Sequence, residues 1–304
     1  EVDCIRSFNP EDTTERTIFT GSGSPKWTNN VFGLATAPYP TAARELGVPA
    51  PTTAVTVAIN TNPATGTEED VFVVCTFVND LGEEGAPGPV SAKVKIKPGA
   101  LLDISNLPAI PSGNYGLTLR RLYCSKVSDT TTDLYLGAEV AVAATSAQIN
   151  HSALNDVLQT NDYTMPPVDG HSIVELWNGI AAMISGRAVR FCEERLIYAW
   201  PTDYSMPLGD KPVGLGVFDQ VLLVLTTGRP SIITGQTPSG MSLAPISLDQ
   251  SCVAKRSIVT FGHTVCWASP DGLMAMSSSG PKNLTAGSMT REDCQALSAM
   301  TRDD

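Results

Sequence analysis

Apolar residues in this chain come in runs of five to seven at most, broken by Gly, Pro, Asn and Asp, and they almost never recur at helical spacing. Short alternating or β-branched runs between such breaks predict strands. From about residue 52 to 160 they follow one another evenly. Ala54–Asn60 alternates, with Val55, Val57 and Ile59 on one side, and Asp70–Asn79 is a stiff run whose Val71, Val73, Cys75 and Phe77 form an inner face. A turn at Asp80–Gly82 leads to Val90–Lys97, Leu101–Leu107, Tyr115–Lys126, Leu134–Val142 and Ser146–Asn150. Seven strands at this spacing predict an immunoglobulin-like sandwich. The four Trp residues, at 27, 177, 200 and 267, all lie outside it. Without a Cys…Trp…Cys pattern, the fibronectin type III variety fits better.

Beyond a proline hinge at Met165–Pro167 the pattern repeats. Ile173–Cys192, Val213–Gly235 and Ile258–Met276 each read as a strand, a tight turn, a strand, a glycine turn and a strand. The tight turns Asn178-Gly179, Asp219-Gln220 and Gly262-His263 lie 41 and 43 residues apart. The glycine turns at Gly186, Gly228 and Gly272, the last preceded by Asp271, lie 42 and 44 apart. That period, filled with antiparallel strands, is the size of a β-propeller blade. Three blades cannot close a propeller, which takes about four to eight. Strands at Cys4–Phe8 and Arg16–Thr20 supply part of another.

The expected fold is therefore all-β, an incomplete β-propeller with an inserted fibronectin-like sandwich. Residues 1–49 are read as N-terminal strands and a Pro-rich linker belonging to the propeller platform, and 50–162 as the inserted sandwich. Residues 163–288 form the blades and 289–304 a C-terminal helix. That helix spans Arg291–Ala299, with Thr290 as N-cap and Glu292 and Asp293 at its positive end. The start at Glu1 rather than Met predicts a chain processed or trimmed from something longer.

Charge narrows the function. Twenty Lys and Arg against 31 Asp and Glu give a net charge of −11, with no basic cluster. Nucleic-acid affinity rests on cations displacing counterions from phosphates, so tight DNA or RNA binding is disfavoured, while passage of duplex DNA through an acidic channel is not. The seven cysteines are scattered and include no CxxC pair. Reduced, structural thiols are expected, as suits assembly in a cytoplasm. No apolar run approaches the roughly 20 residues of a membrane helix, so no membrane insertion is expected.

Candidate chemistry is sparse. His151, His171 and His263 have no partner at metal-ligand spacing, and there is no nucleophile elbow or phosphate loop. The acidic group Asn79, Asp80, Glu83 and Glu84 reads as a solvated hairpin tip, and Glu68–Asp70 likewise. No catalytic, metal or cofactor site is expected. The densest aromatic patch, Tyr198, Trp200 and Tyr204, is a candidate interface, with packing between blades as the plainer reading.

Several segments resemble a known family. LGVPAPTTAVTV (46–57), FVNDLGEEGAPGPVS (77–91), RRLYCS (120–125), YAWPTDY (198–204), CVAKRSIV (252–259), WASPDGLMAM (267–276) and MTREDCQAL (289–297) occur in that order. The series is similar to one in virion proteins of tailed bacteriophages: an APTTAPTV-like opening, a TFVxxxGEEGxPS hairpin, then YAWPxDY, CVSKRSIV, ASPDGL and FTREDWQAL. It spans about 250 of the 304 residues. Cys294 departs from it, where the family often has Trp. Within short-tailed phages the chain looks most like the tail nozzle (tail tubular protein B-like) proteins. The resemblance implies a structural, non-enzymatic subunit of the virion tail, assembled in the host cytoplasm. Copies would form a ring, of six by the family's pattern, contacting adjacent adaptor and fibre proteins and conducting DNA during ejection. The alternatives are an adhesive or carbohydrate-binding tail protein and, third, a propeller hydrolase.

Overall fold

The computed structural model describes residues 1–8, 12–127 and 132–300. The chain is all-β, built of several small antiparallel sheets. It divides into two compact units, Arg44–Met165 and the pair of segments Glu1–Ala43 and Pro166–Asp304. No helix among the described residues is long and apolar enough to cross a membrane.

In the unit 44–165, two three-stranded sheets and a ribbon enclose one core. Thr132–Ala141, Leu117–Val127 and Val73–Asn79 form the first sheet in that order; Ala147–Asn150, Leu101–Ser105 and Thr56–Thr61 form the second. The run expected over Asp70–Asn79 is split at Phe72. Glu69–Val71 leaves to pair with Val94–Ile96, while Val73–Asn79 stays with Leu117–Val127. Cys75, Leu122 and Cys124 from the first sheet meet Leu102, Ile104 and Ile149 from the second, with Val71 and Ile96 from the ribbon. Every residue of Val73–Asn79 is buried, so this strand is covered on both faces. Its far side packs Val74 against Tyr123 and Leu158.

The other unit is a series of sheets. At the N-terminus, Asp3–Arg6, Thr17–Thr20 and Lys26–Thr28 pair in sequence, the last a strand that the pattern did not reveal. The turn between the second and third is the Gly21–Pro25 stretch. Three four-stranded meanders follow, each antiparallel and each in sequence order. The first holds His171–Glu175, Ala181–Ser185, Ala188–Phe191 and Ser205–Pro207. The second holds Pro212–Phe218, Val221–Thr226, Ser231–Thr234 and Ser242–Pro245. The third holds Val259–Phe261, Thr264–Ser269, Gly272–Ser277 and Gly280–Asn283. The fourth strands, SMP, SLAP and GPKN, are short and carry no apolar alternation, which is why the repeat reads as three strands in the sequence. The first strands of the N-terminal sheet and of the three meanders are neighbours in that order.

Packing between meanders is apolar. Phe218, Leu223 and Leu225 of the second face Val265, Trp267, Met274 and Met276 of the third. The C-terminal helix runs Arg291–Met300. Thr290 and Asp293 cap it reciprocally: Asp293 N donates to Thr290 Oγ1 at 3.2 Å, and Thr290 N donates to Asp293 Oδ2 at 2.9 Å. Residues 301–304, the rest of the expected C-terminal element, lie outside the described residues.

Candidate functional site

The repeated turns are the most organised polar features of the series. Between first and second strands, Asn178, Asp219 and Gly262 all adopt left-handed backbone, with φ of 59°, 49° and 58°. Asn and Asp are the non-glycine residues that tolerate this conformation best. These turns also tie one meander to the next. Trp177 Nε1 donates to the Gly235 carbonyl at 2.8 Å, and Asn178 Nδ2 donates to the Gln236 carbonyl at 3.2 Å. Gln236 Nε2 returns to Gln220 Oε1 at 3.0 Å. His263 Nδ1 lies 2.5 Å from Asp219 Oδ1, joining the second meander to the third.

At the turns between second and third strands the repeat has a further layer. Ser185, Thr226 and Ser269 end the three second strands, and each hydroxyl is engaged at its turn. Ser185 Oγ donates to Asp169 Oδ1 at 2.6 Å, Thr226 Oγ1 to the Arg229 carbonyl at 2.8 Å and Ser269 Oγ to the Gly272 carbonyl at 2.9 Å. Residues that lead into each meander reach the same turns. Asp169 also accepts from Gly186 N at 2.9 Å, Asp210 from Arg229 N at 3.3 Å, and Gln250 donates to Asp271 Oδ2 at 2.6 Å. A Cβ at Gly228 would displace the Asp210 carboxylate from its place beside the turn. Asp169, Asp210 and Gln250 lie 41 and 40 residues apart. They carry the same period as the turns, but as isolated polar residues outside the strands they escape a search guided by apolar runs.

A cavity of about 370 Å³ opens at this end of the second and third meanders, lined by Asp210, Arg229, Asp249, Asp271 and Arg291. Carboxylates therefore gather at the strand ends here. Each is tied into the scaffold. Asp249 accepts from Arg229 Nε at 2.6 Å, and Asp271 lies 3.1 Å from Arg291. The two ion pairs offset part of the rim's negative charge, two guanidinium groups against three carboxylates, and hold turns in place. Among the described residues no group of three or more His, Cys, Asp or Glu is arranged to hold a metal ion.

The aromatic patch is only partly a surface. Trp200 is fully buried, its Nε1 donating to the Ile197 carbonyl at 2.7 Å, so it packs inside the chain and offers nothing to a partner. Tyr198 and Tyr204 are half-buried. The hairpin-tip reading also needs correction. Glu84 is buried and accepts from Thr76 Oγ1 at 2.5 Å, Tyr123 Oη at 2.9 Å and an Arg121 guanidinium nitrogen at 2.7 Å. Burial, and then the Glu84 charge, push the Tyr123 hydroxyl well above its ordinary range. Asn79 is buried too, its Oδ1 accepting from the Leu81 and Glu83 amides at 3.0 Å each. This is a structural hub in which one buried carboxylate satisfies three donors. His151 is buried beside Glu69, with Nδ1 3.4 Å from its carboxylate, while His171 opens a strand.

All seven thiols are free. Burial pushes Cys75, Cys124 and Cys192 up to about 12, so they stay protonated and inert at neutral pH. Comparison of the chain with models of known protein families and with curated proteins finds no match.

Proposed function

We propose that this chain is a structural subunit of a tailed-phage virion, similar to the tail nozzle, in which a partial β-propeller carries an inserted fibronectin type III-like sandwich. The observation that carries the reading is the regular succession of four-stranded meanders. Their first strands are neighbours in order, and their turns repeat the same polar latches. Propeller blades are four-stranded sheets set radially about an axis, and neighbouring first strands are what that architecture requires. Two facing sheets around one core support the sandwich reading of 44–165. The motif series from residue 46 to 297 supports the phage assignment. Engagement of the clustered carboxylates by arginines and turn amides supports a scaffold over a hydrolase.

In this reading copies assemble into a ring in the virion tail, bind neighbouring tail proteins and let duplex DNA pass without holding it. Negative-stain imaging of the purified protein tests the assembly: rings are expected, and isolated particles at all concentrations count against it. A filter-binding titration at low salt tests the passive role of the acidic surface, where sub-micromolar duplex affinity with a steep salt slope overturns it. A glycan array separates this function from an adhesive one, since specific sugar binding is expected only of the latter.

A further inference from the structure

A second cavity, of about 130 Å³, lies where the N-terminal sheet and all three meanders meet. Its walls come from Asp3 of the N-terminal sheet, Ser172 of the first meander, Gly214 of the second, and Lys255 and Arg256, which lead into the third. Lys255 Nζ donates to Asp3 Oδ2, so the first and last sheets of the series are joined at this point. Glu1 also lines the cavity and is exposed.

Ser172 is the unusual member. The pairing of His171–Glu175 with Ala181–Ser185 is irregular between His171 and Val174, and Ser172 adopts left-handed backbone there, with φ of 55°. Such an irregularity breaks the alternation of a strand and re-aims a side chain. Ser172 and Ile173 are both buried in consequence, and Ser172 is only 3% exposed. Its hydroxyl has no hydrogen-bond partner among the described residues. Buried hydroxyls are ordinarily paired, so an unpaired one in a cavity wall points to a group that enters the cavity.

The other polar groups say which kind of group. The Lys255 ammonium serves Asp3 and keeps further N–H donors. The Arg256 guanidinium, a donor only, has no hydrogen-bond or ion-pair partner among the described residues. Asp3 is engaged by Lys255, and a metal cation would meet that ammonium at close range. Glu1 is exposed, where water weakens its field. Donors therefore outnumber acceptors around the cavity. Size narrows the ligand further. Drug-sized molecules need about 300–1,000 Å³, so this volume admits a group of a few heavy atoms.

We infer that the cavity binds a small oxyanion, a phosphate or carboxylate group, held by Ser172 Oγ, Lys255 and Arg256. An arginine fork matches the paired oxygens of such an anion. Because Ser172 belongs to the first meander and Arg256 to the entry of the third, the bound anion fastens the series across its centre. A ligand that binds only the folded state stabilises it. The site lies within one copy and stands independently of ring assembly.

Calorimetric titration of the full chain with inorganic phosphate, and separately with acetate, in chloride buffer of constant ionic strength tests the site. Binding of at least one anion in the millimolar range or tighter is expected; preference for phosphate assigns the site to phosphoryl groups and preference for acetate to carboxylates. Arg256→Gln, at an exposed position, is expected to weaken binding about tenfold or more, as loss of a charged hydrogen bond does. Ser172→Ala is expected to weaken it by a similar factor while leaving the anion-free protein at least as stable as the wild type, because an unpaired buried hydroxyl is removed. Absence of binding by both anions, or binding that neither variant changes, overturns the inference. A Ser172→Ala protein less stable than the wild type without anion also overturns it, since the hydroxyl would then be satisfied already.

Discussion

The second and third meanders share strand order and turn positions, yet their second strands are composed differently. Val221–Thr226 reads VLLVLT and is buried at every position after the first. Thr264–Ser269 reads TVCWAS, with Val265, Trp267 and Ser269 buried and the residues between them half-exposed. A continuous apolar run belongs to a strand with neighbours on both faces, and alternation to one with a neighbour on a single face. The difference teaches that position within the series is encoded in the strand itself. The same contrast should appear in energetics. Trp267→Ala empties the packed face and is expected to cost about 3–5 kcal/mol, against about 0.5 kcal/mol or less for Phe261→Ala on the open face of the monomer. Urea unfolding followed by tryptophan emission checks both, since all four Trp lie in this unit and three remain in Trp267→Ala. Equal effects would break the comparison.

The strand Val73–Asn79 in the other unit sharpens it, because its second face is closed partly by polar groups. Thr76 points to Glu84, which also holds Tyr123 and Arg121. Glu84→Gln keeps the shape but removes the charge that Arg121 pairs with, an expected loss of about 1.5–3 kcal/mol. Tyrosine emission and circular dichroism of that transition measure it. Indifference to the change would show that apolar packing against Val74 and Leu158 alone covers this face.

Much of this architecture was legible in the chain, for reasons that differ by element. The turns at Asn178, Asp219 and Gly262 stood out because left-handed backbone selects Asn, Asp and Gly, and few other residues substitute. The fourth strands stayed hidden because edge strands need no apolar face, and SMP, SLAP and GPKN carry little of one. Glu84 was misread as solvated because its partners Arg121 and Tyr123 lie 37 and 39 residues away, beyond any local pattern. Trp200 stands between Ala199 and Pro201, both buried with it, and only tertiary contacts decide that this segment turns inward.

Smaller effects are expected at the latches. Asp169 holds the Gly186 turn through two hydrogen bonds, whereas Asp210 holds the Gly228 turn through one long bond at 3.3 Å. Asp169→Ala should therefore cost about 1–2 kcal/mol and Asp210→Ala about 0.5–1 kcal/mol, as exposed hydrogen bonds to charged acceptors do. The tryptophan-monitored midpoint reads both, and the reverse order would show that Asp210 acts chiefly through the cavity it lines with Arg229.

The smallest perturbation leaves the fold intact and reports each face through a thiol. Cys192 is fully buried in the first meander and Cys266 half-buried on the open side of the third, while Cys4 is exposed on the N-terminal sheet. A thiol reacts as thiolate, and burial raises Cys192 from 9.0 to about 12. At neutral pH a disulfide reagent is expected to modify Cys4 first and Cys266 next, with Cys192 untouched until the unit unfolds. The sign of the alkaline effect follows from the same shift. The folded state holds the Cys192 proton more tightly than the unfolded chain, so its contribution to stability is complete below 9.0 and falls as pH rises toward about 12. Cys75 and Cys124, also near 12, lose stability over the same window in the other unit. Mass-resolved labelling against urea separates the two, because protection of Cys192 reports one unit and protection of Cys75 and Cys124 the other. If Cys266 proves as protected as Cys192 in dilute protein, the third meander is covered on both faces within a single copy, and the contrast that began with VLLVLT and TVCWAS is lost.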